Sequence, residues 1–309
     1  MEGSVSDHGE RNKTHKMNDM IEKDETPGSG DFPLLTIIVV ALNPGNKLIE
    51  TIDSIRRQTF TDYQVLVKDG GSQDDSQQQL SAYLQNWPSV AGRVQVEMQK
   101  DGSIYEGMNQ AISYAKGSYL YFLNCGDLLA SEDALQFAAD AILQDRREQK
   151  EAKLYYGDIL DVLRNQVVSS NPHMDAFACY RNLPCHQACL YAKELFAERG
   201  YDTKYRVRAD YEHFLWCFFE KKVQPRYIPV ILAAYEGGGF SETKENRKRS
   251  AEEHKEITAR YMSAGQRFRY RMILILTLAP VRGKLAESPR FAGYYQHLKS
   301  LLYRKRKKV

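Results

Sequence analysis

The chain has 309 residues, 42% hydrophobic and 27% charged, enough to bury a full core in one domain with appendages. Its formal net charge of +3 hides an asymmetry: from Lys244 onward there are 18 Lys and Arg against 5 Asp and Glu, while the remainder carries 25 against 35. A polyanionic partner is therefore expected at the C-terminal segment and not at the acidic body.

Five cysteines without a regular framework fit a reducing cytosol better than a secreted disulfide scaffold. Residues 1–30 lack the apolar core of a signal peptide. No stretch reaches the roughly eighteen apolar residues of a transmembrane helix; the best, Met272 to Val281, is short and broken by Pro280. These features predict a cytoplasmic protein, soluble or on a membrane surface.

Residues 1–31, rich in Gly, Ser, Asp, Glu, Lys and Asn, read as a disordered leader. The β-branched run Leu34–Ala41 predicts a buried strand, ended by Asn43-Pro44-Gly45-Asn46. Leu48, Ile52 and Ile55 mark a helix ending near Gln58. Tyr63–Val67 is a second strand, running into Lys68-Asp69-Gly70-Gly71-Ser72, where adjacent glycines let the backbone bend sharply beside a bound group. A helix over Gln73–Asn86 and a strand over Arg93–Met98 follow. Ile104, Met108, Ile112 and Ala115 recur at helical spacing, and Gly117 can stop that helix. Tyr119–Leu123 is then a short apolar strand ending in Asn124-Cys125-Gly126-Asp127.

A helix over Ser131–Leu143 and a strand over Leu154–Ile159 continue the alternation, after which residues 160–184 carry no clear pattern. His186–Tyr191 predicts a strand, followed by a short helix to Arg199. A helix opens at Arg208–Glu212 and ends near Lys222, and Arg226–Ala233 is the last sheet strand. Glu236–Ser241 is a loop, and the rest reads as basic helices ending in Arg304–Lys308. Alternating strands and helices predict βαβ units, hence an α/β, Rossmann-like, mostly parallel sheet flanked by helices. Asp69, Asp101 and Asp127 each follow a strand, on the edge where such sheets bind ligands. A carboxylate there can hold a divalent cation that grips a diphosphate, or it can simply cap a turn.

Together, TIIVVALN at 36–43, VKDGGSQDDS at 67–76, the stretch Lys100–Leu129, HQACLY at 186–191 and RADYE at 208–212 resemble family 2 glycosyltransferases of the A-type nucleotide-diphospho-sugar fold. More narrowly, they are similar to the bacterial enzymes that build surface polysaccharides. The resemblance implies a catalytic domain over 32–241 and a basic helical extension over 242–309. It implies that Ala41 and Asn43 line a nucleotide pocket, that Asp69 and Gly70 meet the base, and that Asp101 and Asn124 lie near the nucleoside and sugar. It implies Asp127 as the ligand of Mg²⁺ or Mn²⁺ and Asp210 as the general base of an inverting transfer to a hydroxyl. Many relatives carry Asp-x-Asp where this chain has Asn124-Cys125-Gly126-Asp127, so one carboxylate remains.

Each residue has a plainer role open to it. Asp210 suits a helix N-cap, and Asp69 and Asp101 suit Asp-Gly turns. His186 is either a contact to diphosphate or acceptor or a buried, hydrogen-bonded histidine; Glu212 is the alternative base. Gly238, within Gly237–Gly239, belongs to a lid or to a linker. Cys185 and Cys189, with His173 and His186, match no standard zinc pattern. Tyr294, Leu298, Leu301 and Leu302, with Arg290 and Lys299, read as a basic amphipathic helix for an anionic leaflet, which suits a saccharide or polyprenyl-linked acceptor. No nucleic-acid motif accompanies the charge. The rival readings are a nucleotidyltransferase, poorly served by ALNPGNK at 41–47, and a non-catalytic nucleotide-sugar-binding scaffold.

Overall fold

In the computed structural model, which describes residues 32–237 and 243–277 together with positions 294 and 297, the first apolar run becomes β1 (Leu35–Ala41). There follow α1 (Lys47–Arg56), β2 (Tyr63–Asp69), α2 (Ser76–Gln85), α3 (Pro88–Ala91), β3 (Val94–Met98), α4 (Ile104–Ile112), β4 (Tyr119–Phe122) and β5 (Leu128–Leu129). The second half runs α5 (Ala134–Arg147), β6 (Leu154–Asp161), β7 (Gln166–Val168), α6 (Ala176–Arg181), β8 (Cys189–Ala192), α7 (Ala209–Phe219), β9 (Arg226–Tyr235), α8 (Lys244–Tyr261) and α9 (Ala264–Leu276).

The strands form one sheet in the order β3-β2-β1-β4-β8-β6-β9-β5, with β7 paired to β6. β1, β2, β3 and β4 are mutually parallel, as are β6 and β9, whereas β5, β7 and β8 run antiparallel to their neighbours. The expected mostly parallel α/β architecture is what forms. β1 and β4 are apolar almost throughout because both of their faces are covered, and β2 is buried along its whole length although it carries Gln64, Lys68 and Asp69. Ile37 and Val39 point into a core with Leu48, Ile52 and Ile55 of α1 and Leu135, Ala138 and Ile142 of α5. Ile38 points the other way, into a core with Met108 of α4, Phe214 and Trp216 of α7, Ile257 of α8 and Tyr270 of α9. The first two helices of the basic extension thus pack onto the sheet domain. The leader 1–31, Gly238 and most of the segment after Thr277 lie outside the described residues.

Two local expectations differ. His186–Ala188 is a single 3-10 turn, closed by Ala188 N–H donating to the Cys185 carbonyl, and the strand begins only at Cys189. Its cause is tertiary: the Tyr121 hydroxyl donates to the Gln187 carbonyl at 2.8 Å and holds the turn beneath the sheet edge. The unpatterned region 160–184 holds β7 and α6, both too short for a periodic signature.

Candidate active site

The carboxyl ends of β1 and β2 lie side by side, Ala41 opposite Asp69, and the loops beyond them are tied together. Asn43 N–H donates to Ser72 Oγ at 2.8 Å, Gln73 N–H donates to Asn43 Oδ1 at 2.8 Å, and Gly45 N–H donates to Asp74 Oδ2 at 2.9 Å. Asp69 is fully buried. Burial opposes its charge, but Ser72 and Gly71 N–H donate to Oδ1 at 2.6 and 2.7 Å, and Gln77 donates to Oδ2 at 2.5 Å; together they hold the carboxyl below its usual range.

Lys68 is buried at the end of β2 and donates to the carbonyls of Asp69 and Gln99 and, at 2.9 Å, to Asp101 Oδ2. Asp101 is wedged between two glycines: a Cβ placed on either Gly70 or Gly107 would come within 2.8 Å of Asp101 Oδ2. Gly70 therefore makes room for a buried ion pair that anchors the loop after β3 to the loop after β2. Lys68 was not singled out in the sequence, because a lysine ending an apolar strand looks like a residue entering solvent.

Past β4 the chain turns through Asn124–Asp127. Gly126, at φ +101, takes a conformation that L side chains rarely adopt, and its N–H donates to Thr51 Oγ1, whose hydroxyl donates to the Asp127 carbonyl. The turn is thereby seated on α1. Asp127 Oδ2 accepts from Gln187 Nε2 at 2.7 Å and Oδ1 accepts from Glu236 N–H at 3.1 Å. Burial nevertheless raises the Asp127 pKa above its ordinary value. Asn124 Oδ1 is buried without a hydrogen-bond partner. Lys47, from the first turn of α1, crosses Gly126 to pair with Glu236 at 2.5 Å; both side chains are half exposed, so opening the pair costs little. Burial pushes the Cys125 and Cys185 thiols up to about 12, so neither is a thiolate at neutral pH.

A cavity of 680 Å³ begins at this turn; Lys47, Asn124, Asp127 and Glu236 line one end. Asp210, in the first turn of α7, lines the same cavity. It is not the N-cap, a place taken by Arg208. The Tyr105 hydroxyl lies 2.8 Å from Asp210 Oδ1 and 2.9 Å from the Val207 carbonyl. Burial, with the Asp210 charge beside it, raises the tyrosine pKa well above its ordinary value, so Tyr105 stays a donor. The backbone just before Asp210 is gripped from α8: Glu253 accepts from the N–H groups of Arg206, Val207 and Arg208 at 2.9, 3.0 and 2.9 Å.

His186 lines the cavity too, stacked on Phe122 with Nε2 2.8 Å from the Tyr201 hydroxyl; burial lowers its pKa and keeps it neutral. Glu212 is placed elsewhere: fully buried on the inner side of α7, it is held by Arg199, Arg260 and the Tyr261 hydroxyl. Ala41, Asn43, Asp69, Gly70 and Asp101 form the neighbouring edge at the ends of β1, β2 and β3, outside the cavity lining.

For a divalent cation, the donors on hand are the Asp127 carboxylate and the orphaned Asn124 Oδ1. Mg²⁺ usually takes one or two carboxylates and fills its shell with phosphate oxygens and water, so this set fits. A carboxylate has lone pairs enough to keep its bonds from Gln187 and Glu236 N–H while ligating. Among the described residues no group of three or more His, Cys, Asp or Glu has metal-binding geometry, and Cys185, Cys189, His173 and His186 form no such group.

The model of the Glycosyl transferase family 2 matches residues 36–155. A PGL/p-HBAD biosynthesis glycosyltransferase of Mycobacterium bovis is 33% identical over 213 residues, spanning 68% of this chain and 80% of the relative. The chain belongs to glycosyl transferase family 2. It is a glycosyltransferase. An uncharacterized glycosyltransferase of Mycobacterium tuberculosis is 28% identical over 218 residues, spanning 69% of this chain and 79% of its own. Among solved structures, TarS of S. aureus in complex with UDP-GlcNAc shares the fold at a TM-score of 0.54 and 16% identity, over 70% of this chain and 64% of that one. A mannosyltransferase of Pyrobaculum calidifontis in complex with GDP-Man and Mn²⁺ does so at 0.50 and 13%, over 89% and 87%. The fold is the A-type glycosyltransferase fold.

Proposed function

We propose that the protein is an inverting glycosyltransferase that moves a sugar from a UDP-sugar to a hydroxyl of a saccharide or lipid-linked saccharide, in the building of a surface polysaccharide. The observation that carries the reading is that Asp127 and Asp210 line one cavity from different elements, the end of β4 and the start of α7. Inversion requires a base and a leaving group on opposite faces of the sugar. The acceptor oxygen attacks the anomeric carbon, the bond from that carbon to the donor diphosphate breaks, and its electron pair leaves with the phosphate. Asp210 takes the acceptor proton.

Tyr105 occupies one Asp210 oxygen and orients the other toward the acceptor. Asp127 and Asn124 would hold a Mg²⁺ or Mn²⁺, which when bound neutralises charge on the leaving diphosphate. Lys47, released from Glu236, brings a second positive charge to the same end of the cavity. The loops after β1 and β2, with Asn43, Asp69 and Asp101, take the nucleoside. Burial keeps His186 neutral, a donor or acceptor beside the reacting groups and not a second charge.

Calorimetry with UDP, with and without Mn²⁺, tests the donor end: wild type is expected to bind more tightly with Mn²⁺, and Asp127→Ala to lose that increment. Slow hydrolysis of a UDP-sugar tests the other end, with Asp210→Asn expected to bind UDP normally and turn over at least tenfold more slowly, on the scale of a lost general base. Failure of UDP, GDP and dTDP alike to bind would sink the donor assignment.

A further inference from the structure

α9 has the sequence AGQRFRYRMILIL, with three arginines and no acidic residue. Its inner side is settled by aromatic packing. Tyr270 is buried, its ring 5.4 Å from Phe177 and 5.5 Å from Tyr180, both on α6. Ile273 packs against the same core. At about 100° of rotation per residue, Phe268, Met272 and Ile275 fall on the side opposite Tyr270, and Leu276 continues that stripe.

Those residues are exposed, Phe268 at 68%, Ile275 at 50% and Leu276 at 76%, so this helix is apolar on both sides. Arg269 and Arg271 are exposed along the two borders of the outer stripe. An apolar stripe with arginines along each edge is the pattern of a helix lying in a lipid headgroup layer, the guanidinium groups reaching back to phosphates. At 13 residues the helix is about 20 Å long, too short to span the roughly 30 Å hydrocarbon core. Among the described residues no helix is long and apolar enough to cross a membrane.

We infer that the outer face of α9 is a docking surface for an anionic bilayer. Charge selects this occupant. The residues after Thr277 carry nine Lys and Arg against one Glu, so the chain that follows adds to the positive charge and does not neutralise it. An anionic lipid surface satisfies the arginines and the apolar stripe together. The helix is also linked to the cavity: its inner side packs on α6, and Arg181, the last residue of α6, lines that cavity. Docking by α9 therefore brings the cavity to the bilayer, where a lipid-linked acceptor presents its hydroxyl. That last step rests on the transferase reading; the bilayer contact does not.

The test is flotation of the full chain with phosphatidylcholine vesicles, with and without phosphatidylglycerol. Wild type is expected to float only with the anionic vesicles. The double variant Phe268→Ser, Ile275→Ser keeps every charge and is expected to lose on the order of tenfold or more in partitioning. Arg269→Glu, Arg271→Glu is expected to lose as much, and the wild-type binding to weaken as salt rises. The inference is overturned if wild type fails to float, or if the apolar variant floats unchanged, which would leave the basic tail as the whole of the binding. It is overturned too if the apolar variant unfolds at lower temperature with unchanged flotation, the mark of a stripe covered by the chain's own C-terminal segment. A dimer in light scattering that this variant dissociates, without vesicle binding, would assign the face to a second copy. UDP calorimetry on the same samples reads the donor site separately, so loss of one property leaves the other standing.

Discussion

Gly70→Ala perturbs the Lys68–Asp101 pair without touching either charge. The new methyl would sit 2.8 Å from Asp101 Oδ2 and 3.2 Å from its Cγ and Oδ1, closer than packed atoms tolerate. Gly107 closes the slot from the other side, so the carboxylate has to leave its seat. Lys68 then loses its one charged partner while buried, keeping only the carbonyls of Asp69 and Gln99. A hydrogen bond between charged groups contributes about 1.5–3 kcal/mol. The backbone at Gly70 lies outside the left-handed region, so alanine also stiffens the unfolded chain, which returns about 0.4–1 kcal/mol. The expected net loss is about 1–2 kcal/mol, or roughly 2–4 °C in Tm for each kcal/mol in a domain of this size. Urea and thermal unfolding of Gly70→Ala, Asp101→Ala and the double variant measure it. With Asp101 shortened, the three nearest atoms that the methyl meets are gone, and Gly70→Ala should cost less there or become mildly stabilising. The same loss in both backgrounds, or no loss in the first, would refute the wedge.

Glu253→Gln should loosen the approach to Asp210, because an amide presents one acceptor where the carboxylate serves three backbone N–H groups. A stability loss of about 1–3 kcal/mol and a fall in UDP-sugar turnover with unchanged UDP affinity are expected; unchanged turnover would mean that the clamp is structural only. The Mn²⁺-dependent part of UDP binding should begin to weaken on acidification at a pH above the ordinary aspartate value, because burial raises the Asp127 pKa in the metal-free protein and the proton then competes with the cation. In the metal-free protein the same shift has the opposite sign for stability. A folded-state pKa above the unfolded one means that ionised Asp127 destabilises the fold at neutral pH, and that this cost is relieved as pH falls through the raised value. Asp127→Ala should flatten both responses, and their persistence in that variant would assign them to another group.

The sheet was legible because β1, β2 and β4 are buried on both faces: β1 and β4 announce themselves as apolar runs and β2 through Val65–Val67, with acidic turns after β2 and β4. β5 and β7 were not, since two or three residues carry no period, and the antiparallel pairing of β5 is decided by β9, far along the chain. The same distance hid the residues that complete the site. Glu253 meets its backbone donors across 45 to 47 residues, Gln187 meets Asp127 across 60, and Glu236 N–H meets it across 109. None of them stands out in its own neighbourhood, and each reaches its partner only when the sheet closes.

That long-range assembly changes how the departure at Asn124–Asp127 is to be understood. Counted along the turn, one carboxylate stands where many relatives have two. Counted in space, the turn meets a second carboxylate, Glu236 from the end of β9, and an ammonium, Lys47 from α1, paired with each other across Gly126. On the transferase reading, the ammonium that meets a diphosphate and the carboxylates that face its metal ion are thus drawn from three separate elements. An exposed pair such as Lys47–Glu236 opens at little cost, so the lysine is free to follow the donor phosphates when they arrive, and the glutamate is left beside Asp127 and the orphaned Asn124 Oδ1. Removing Lys47 should therefore weaken UDP binding most in the absence of Mn²⁺, where no metal ion shares the charge of the diphosphate.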